Sequence, residues 1–178
     1  MEKNNVLIVY FSYTGNTKMI ANMIKEKINC DIVELKPIKP YSTNYQEVVD
    51  DEQNSEASNI IPEIQKVDVD LSKYDKIIIG TPTWWYRPAP VVRAFLKNYD
   101  LSGKVIIPFS TNAGWLGKTF KEIEKLCPNS KVQNEMNIVF QSYSDNLVTS
   151  KSEIDNWINN LQQWVLKIII KINCCYNR

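Results

Sequence analysis

Residues 6–11 form an unbroken apolar run of strand length, and beyond Gly15 the residues Met19, Ile20, Met23, Ile24 and Ile28 mark one face of a helix. A second short run, residues 31–35, follows at once, as parallel strands joined by a crossover helix require. Residues 77–80 and, after Lys104, residues 105–109 are apolar runs, so that 77–80 and 104–109 read as strands buried on both faces. Between them, residues 89–99 place Pro90 in a first helical turn with Val91, Val92, Phe95 and Leu96 facing inward. Phe120, Ile123 and Leu126 give another helical stripe, and residues 132–140 alternate as a fifth strand. Ser150 and Glu153 form a capping box ahead of Ile154, Trp157, Ile158 and Leu161, which starts the last helix.

Five strands interleaved with helices predict an α/β domain with a mostly parallel sheet covered on both faces. It spans residues 1–166, without internal repeat or linker, and residues 167–178 form a C-terminal tail. The connection across residues 36–73 is long; Tyr45, Val48 and Val49 suggest a helix inside it, and the polar, acidic residues 50–58 read as a mobile, solvated loop. Trp157 and Trp164 fall on a helical stripe and are expected in the core. The tail, with alternating Ile and Lys and the pair Cys174 and Cys175, reads as a frayed terminus, with an edge strand or a dimer contact as the alternatives.

Composition narrows the chemistry. The 178 residues are 44% apolar, enough for one sizeable core. Twenty-one Lys and Arg nearly cancel twenty Asp and Glu, so no global field draws in nucleic acid or an anionic membrane. There is no histidine, which excludes His-based acid–base catalysis and Ser-His-Asp or Cys-His nucleophiles. Redox or transfer chemistry must then come from a cofactor, and no catalytic side chain or metal site is assigned. Cys30, Cys127, Cys174 and Cys175 have neither zinc-site nor thioredoxin spacing and read as buried or incidental thiols. Residues 6–11 are too short for a signal-peptide core, and Lys167 and Lys171 break the tail far below the roughly 20 apolar residues of a membrane span, so the expected compartment is the cytoplasm.

Four of the five glycines, Gly15, Gly80, Gly114 and Gly117, lie at or just beyond the carboxyl ends of three predicted strands, where open α/β sheets place their ligand crevice. Trp84, Trp85 and Trp115 crowd the same loops, where core packing is a weak explanation for them. The first loop, Ser12, Tyr13, Thr14, Gly15, Asn16 and Thr17, joins a strand to a helix. Its amide N–H groups, hydroxyls and the helix dipole suit a phosphate, although Ser and Thr simply capping the helix is the bland alternative. It is neither a Walker A loop nor a G-x-G-x-x-G turn. The second loop, Thr81, Pro82, Thr83, Trp84, Trp85 and Tyr86 followed by Arg87 and Pro88, is a stiffened wall for a flat ring. The third, Ser110, Thr111, Asn112, Ala113, Gly114 and Trp115, allows close backbone approach and offers another indole. Stacking is worth about 1–3 kcal/mol per ring, so the three loops together imply a flat heterocyclic phosphate.

With these loops the chain resembles the flavodoxins, especially the group whose pattern runs strand, S-x-T-G-N-T, a strand ending G-T-P-T-W-W, then I-P-F-S-T. The resemblance covers about residues 5–166 and implies a three-layer sandwich with a five-stranded parallel sheet in the order 2-1-3-4-5. It further implies one non-covalent FMN, with the phosphate on residues 12–17 and the isoalloxazine between residues 81–86 and 110–115. In this reading Ser12, Tyr13, Thr14, Gly15, Asn16, Thr17, Thr81, Pro82, Thr83, Trp84, Trp85, Tyr86, Ser110, Thr111, Asn112, Gly114 and Trp115 bind the cofactor.

The expected function is electron carriage between a reductase and an acceptor protein, by a monomer or weak dimer. The alternative is an NAD(P)H-dependent quinone or nitro-compound reductase on the same fold, with Tyr86 or Tyr13 as a donor to substrate oxygen. Two departures from the family pattern bear on this. The ring loop has no glycine. A peptide flip toward reduced flavin would therefore need positive φ at a residue with a Cβ, which predicts weaker semiquinone stabilisation. The near-neutral charge predicts weak electrostatic steering. Arg87, if it lies beside the ring, would raise the flavin potential by roughly 25–100 mV at about 7 Å; the alternative is an Arg87 that is solvated and points away.

Overall fold

The computed structural model describes residues 5–57 and 60–176, with side chains at 5–54 and 60–164. Strand β1 (Val6–Tyr10) pairs in parallel with β2 (Asp31–Glu34) on one side and β3 (Lys76–Trp84) on the other. β3 pairs in parallel with β5 (Val105–Asn112), whose outer edge is shared by β6 (Lys131–Val132) and β7 (Met136–Val139). A two-residue strand, β4 (Arg87–Pro88), folds back antiparallel on the end of β3. The parallel order β2-β1-β3-β5-β6 is the predicted 2-1-3-4-5 with the added hairpin strand counted, and the fold is flavodoxin-like.

Strand alternation divides the apolar residues between two layers. Val6, Ile8 and Tyr10 of β1 pack with Ile20, Ile24 and Ile28 of α1 (Asn16–Ile28) and with Ile154, Ile158 and Leu161 of α5 (Lys151–Tyr176). Leu7, Val9 and Phe11 face the opposite layer with Val91, Val92, Phe95 and Leu96 of α3 (Pro90–Asn98) and Ile123 of α4 (Thr119–Leu126). Trp157 and Trp164 lie partly buried at the rim of the first layer. The Glu153 N–H donates to Ser150 Oγ, the N-cap bond anticipated for α5. No described helix is long and apolar enough to cross a membrane.

Four sequence expectations are corrected. First, the third and fourth predicted strands do not stop at Gly80 and Phe109; they continue as β3 and β5 to Trp84 and Asn112. The polar ends look like loops in one dimension, but Thr81 pairs with Ser110 and Pro82 with Thr111. Second, the fifth strand is broken. Between paired positions, residues 107–108 of β5 face residues 133–135, one residue more, so the outer strand bulges with Asn134 at φ 57°. Ile106 accepts the Gln133 N–H; Pro108, two residues on and facing the same neighbour, has no N–H to give. The Trp157 indole donates to the Asn134 carbonyl and holds the bulge.

Third, residues 50–57 are the body of α2 (Tyr45–Ala57) and not a mobile loop; residue 58 lies outside the described residues. Asn44 caps this helix by accepting the Gln46 N–H and donating to Glu47. Val48 and Glu52 are buried beneath it, and the chain on either side is tied together where Gln65 N–H meets the Lys36 carbonyl and Ile38 N–H the Glu63 carbonyl. Fourth, α5 continues as helix through residues 167–176 rather than fraying at 167. The side chains of Cys174 and Cys175 lie outside the described residues.

Candidate functional site

The carboxyl ends of β1, β3 and β5 carry the three loops singled out by sequence. In the first, Gly15 adopts φ 103°, a left-handed conformation natural to glycine, and is the N-cap of α1. Ser12 Oγ accepts the N–H groups of Gly15 and Lys18, both at 3.2 Å. Among the described residues no acceptor from the chain meets the N–H groups of Thr14, Asn16 and Thr17. Lys18 is turned toward Glu34, 3.5 Å away, so the loop offers neutral amides and the helix dipole in place of a cation. The Asn16 amide donates to the Ser144 carbonyl, and buried Thr17 shares a 2.7 Å hydrogen bond with Thr111 at the end of β5.

The second loop is a tight hairpin. Trp84 pairs with Arg87, leaving Trp85 at φ 47° and Tyr86 at φ 62° as its two central residues. Positive φ at both is the requirement of a type I′ turn, a position usually filled by Asn-Gly and costing a residue with a Cβ about 1–2 kcal/mol each. The premise that a side chain keeps this loop out of positive φ is therefore wrong here: two bulky residues already occupy it. The neighbourhood over-determines the conformation. The Lys118 N–H donates to the Tyr86 carbonyl at 2.7 Å. Gly117 leaves room behind Tyr86, whose Cβ would lie 2.2 Å from any Cβ added there. Thr81, expected to touch cofactor, instead clamps the loop: its buried hydroxyl accepts the Ala89 N–H at 2.9 Å and donates to the Pro82 carbonyl. Thr83 shares hydrogen bonds with Ser110 and Thr119, anchoring the hairpin to β5 and α4.

Trp84 is not a free wall. Its ring meets Tyr41 at 5.1 Å, Tyr13 at 5.7 Å and Phe11 at 5.8 Å, all edge-on or steeply tilted. The expectation that the loop tryptophans are not packing residues therefore fails for Trp84 but holds for Trp115, which is 70% exposed; Trp85 is half-buried. Tyr13, a suggested donor to substrate, spends its hydroxyl on the Ser42 carbonyl at 2.8 Å. Asn112 shapes the third loop: its Oδ1 accepts the Gly114 N–H, with Gly114 at φ 104°.

A cavity of about 320 Å³ opens at this rim, lined by Tyr13, Thr83, Trp84, Trp85, Tyr86 and Trp115. The other expected residues lie outside it. Thr81, Ser110 and Thr111 are buried under the loops, Pro82, Asn112 and Gly114 shape the backbone, and residues 12 and 14–17 form the separate amide cradle. Sequence reading missed the opposite wall, Tyr45, Val48 and Val49 of α2. Those residues had marked a helix; nothing local told that its apolar stripe faces the rim.

Arg87 does not point at the cavity. Its Nε and Nη2 each lie 2.6 Å from a Glu122 oxygen, a bidentate pair that raises the guanidinium pKa further. Arg93, 1% exposed on α3, lies 4.0 Å from the same carboxylate. Burial lowers its pKa, while the charges of Glu122 and Glu52 oppose the fall. Burial likewise raises the Glu52 carboxyl pKa, opposed by Tyr41 and Arg93. Within the acidic stretch expected in solvent, Glu52 is thus turned into the fold. Burial pushes the Cys30 thiol up to about 12 and Cys127 up to about 11, so both are protonated at neutral pH.

A family model described as flavodoxin matches residues 5–161. A flavoprotein from Lactobacillus acidophilus NCFM, crystallised in complex with FMN, is 26% identical; the alignment covers 86% of this chain and 98% of that one, with a TM-score of 0.67. Its apo-form, solved by NMR, is 25% identical over 88% of this chain and 98% of that one, with a TM-score of 0.62. Oxidised flavodoxin 2 from Bacillus cereus shares the fold at 20% identity and a TM-score of 0.54, over 91% of this chain and 97% of that one. No curated protein matches. The family match runs from before β1 to Leu161, the last buried residue described on α5, and takes in all three rim loops: the chain belongs to the flavodoxin family.

Proposed function

We propose that the chain binds one FMN at this rim and carries electrons between a reductase and an acceptor protein. The observation that carries the reading is a pair of complementary features on one rim: amides of Thr14, Asn16 and Thr17 that meet no acceptor among the described residues, and an aromatic cavity beside them. The amides and the α1 dipole would hold the phosphate without a lysine, and the indoles of Trp85 and Trp115 would stack on the ring. The cavity volume lies at the lower end of that of small-molecule sites. The Lactobacillus acidophilus relative supports the choice of FMN over another flat phosphate.

The flavin, when bound, supplies the electron chemistry. This chain's residues bind and orient it: Thr81, Thr83 and Gly117 fix the hairpin, and α2 limits access of water to one side of the cavity. The purified chain is expected to be yellow and, once stripped, to quench the fluorescence of added FMN in a one-to-one titration. A colourless chain that leaves FMN fluorescence unchanged overturns the reading. Rapid oxidation of NADPH with quinone, without added reductase, would replace the carrier by the quinone reductase.

A further inference from the structure

The nearly cancelled charge of the sequence conceals local clusters of each sign. Helix α2 carries Glu47, Asp50, Asp51, buried Glu52 and Glu56 and no basic residue. A groove of about 440 Å³ between α3 and α4 is lined by Arg87, Arg93, Lys97, Lys118, Lys121 and Lys125, with Glu122 its one carboxylate. Glu122 is taken up by Arg87 and lies near Arg93. The four lysines are exposed, and among the described residues none of them is in an ion pair. Lys118, Lys121 and Lys125 are spaced along α4 over about 10 Å. The groove adjoins the ring hairpin directly, since the Lys118 N–H is bonded to the Tyr86 carbonyl. Beside it stand exposed Tyr86 and Trp115.

We propose that this groove is the docking surface for a redox partner protein that presents an acidic face. The inference rests on the FMN reading and names the partner's chemistry. A small-anion site would converge buried donors on one point, whereas the buried cation here, Arg93, is balanced by Glu52 and Glu122. Exposed lysines spread over two helices suit an extended carboxylate-rich surface. Held there, the partner lies against the hairpin and the exposed edge of the cavity, where electron transfer distance is shortest.

The test uses two haem proteins of opposite charge, acidic cytochrome b5 and basic cytochrome c, immobilised for surface plasmon resonance with the full chain in solution. The chain is expected to bind cytochrome b5 in preference, with affinity falling on the order of tenfold or more between about 20 and 200 mM salt. K97E/K121E/K125E should lose on the order of tenfold in affinity, while the charge-matched K25E/K27E/K131E, at positions that do not line the groove, loses less than about threefold. The alanine versions of the same positions should lose in the same order, smaller in extent. Equal losses in the two triple variants, preference for cytochrome c, or salt-independent binding would overturn the proposal. So would a salt-sensitive dimer of the chain itself in sedimentation, or competition by 2′,5′-ADP that is lost in K97E/K121E/K125E. Binding is read without flavin, so a chain that docks but leaves FMN fluorescence unchanged sinks only the cofactor reading. One that takes up FMN but ignores cytochrome b5 sinks only the docking surface.

Discussion

Arg87 carries one of the clearest differences between a residue read by position and one read by its contacts. Its place after the ring hairpin brings its charge near a flavin, yet Glu122 accepts both ends of its guanidinium. A bound ring there senses the near-neutral pair and not a lone cation. In the FMN-loaded protein, Arg87→Ala is therefore expected to shift the midpoint potential by less than about 25 mV, read by a redox titration. The same substitution leaves the Glu122 carboxylate, 16% exposed, with Arg93 at 4.0 Å as its remaining ion-pair partner among the described residues. Because Arg87 itself is 32% exposed, the stability loss expected in urea denaturation is about 1–2 kcal/mol and not the full cost of breaking a buried pair. A potential shift near 100 mV would mean the pair opens when flavin is present.

At the scale of elements, the ring hairpin depends on a residue outside it. Gly117 stands at φ 59° and any Cβ there meets Tyr86 Cβ at 2.2 Å and Tyr86 Cα at 2.6 Å. Backbone cannot yield as a flexible side chain does, so Gly117→Ala must move the hairpin or the start of α4. The expected outcome is a loss of FMN affinity on the order of tenfold or more in fluorescence titration, with a stability loss of about 1–3 kcal/mol. Gly80 has a different reason for being glycine. It lies inside β3, and a Cβ would come within 2.4 Å of Phe109 Cζ and 2.8 Å of Tyr10 Cβ. The sequence brought Gly15, Gly80, Gly114 and Gly117 together at strand ends as if for one purpose. The structure separates a loop cap, a packing gap, a loop shaper and a hairpin support. Helix α2 was half legible for a similar reason: Tyr45, Val48 and Val49 show its periodicity, but the partners of its buried Glu52, Tyr41 and Arg93, lie outside it in sequence.

At the scale of the whole molecule, the two layers close around the sheet within the span of the family match. Trp164 is the last residue of α5 whose packing against the core is described, with the Lys76 ammonium 5.2 Å from its ring. We expect a chain truncated after Leu166 to keep its fold and its FMN affinity, with a thermal midpoint within a few degrees of the full chain. A fall larger than about 10 °C would show that residues 167–178 belong to the folded unit. Charge at this scale is a matter of placement: within a net value of +1, α2 gathers acidic residues and the groove between α3 and α4 gathers lysines.

The strand and helix order, the parallel sheet and the gathering of three loops at one rim were readable from the sequence, because burial on both faces of a strand and one face of a helix writes itself as periodicity. The amide cradle was readable too, since Gly15 and the flanking hydroxyls act over a few neighbouring residues. Tertiary structure alone decided that Thr81 serves the backbone, that Trp84 is packed, that α2 walls the cavity, and that Arg87 faces Glu122. Each of these depends on a partner far along the chain, and pairings of that kind leave no periodic trace in a single sequence.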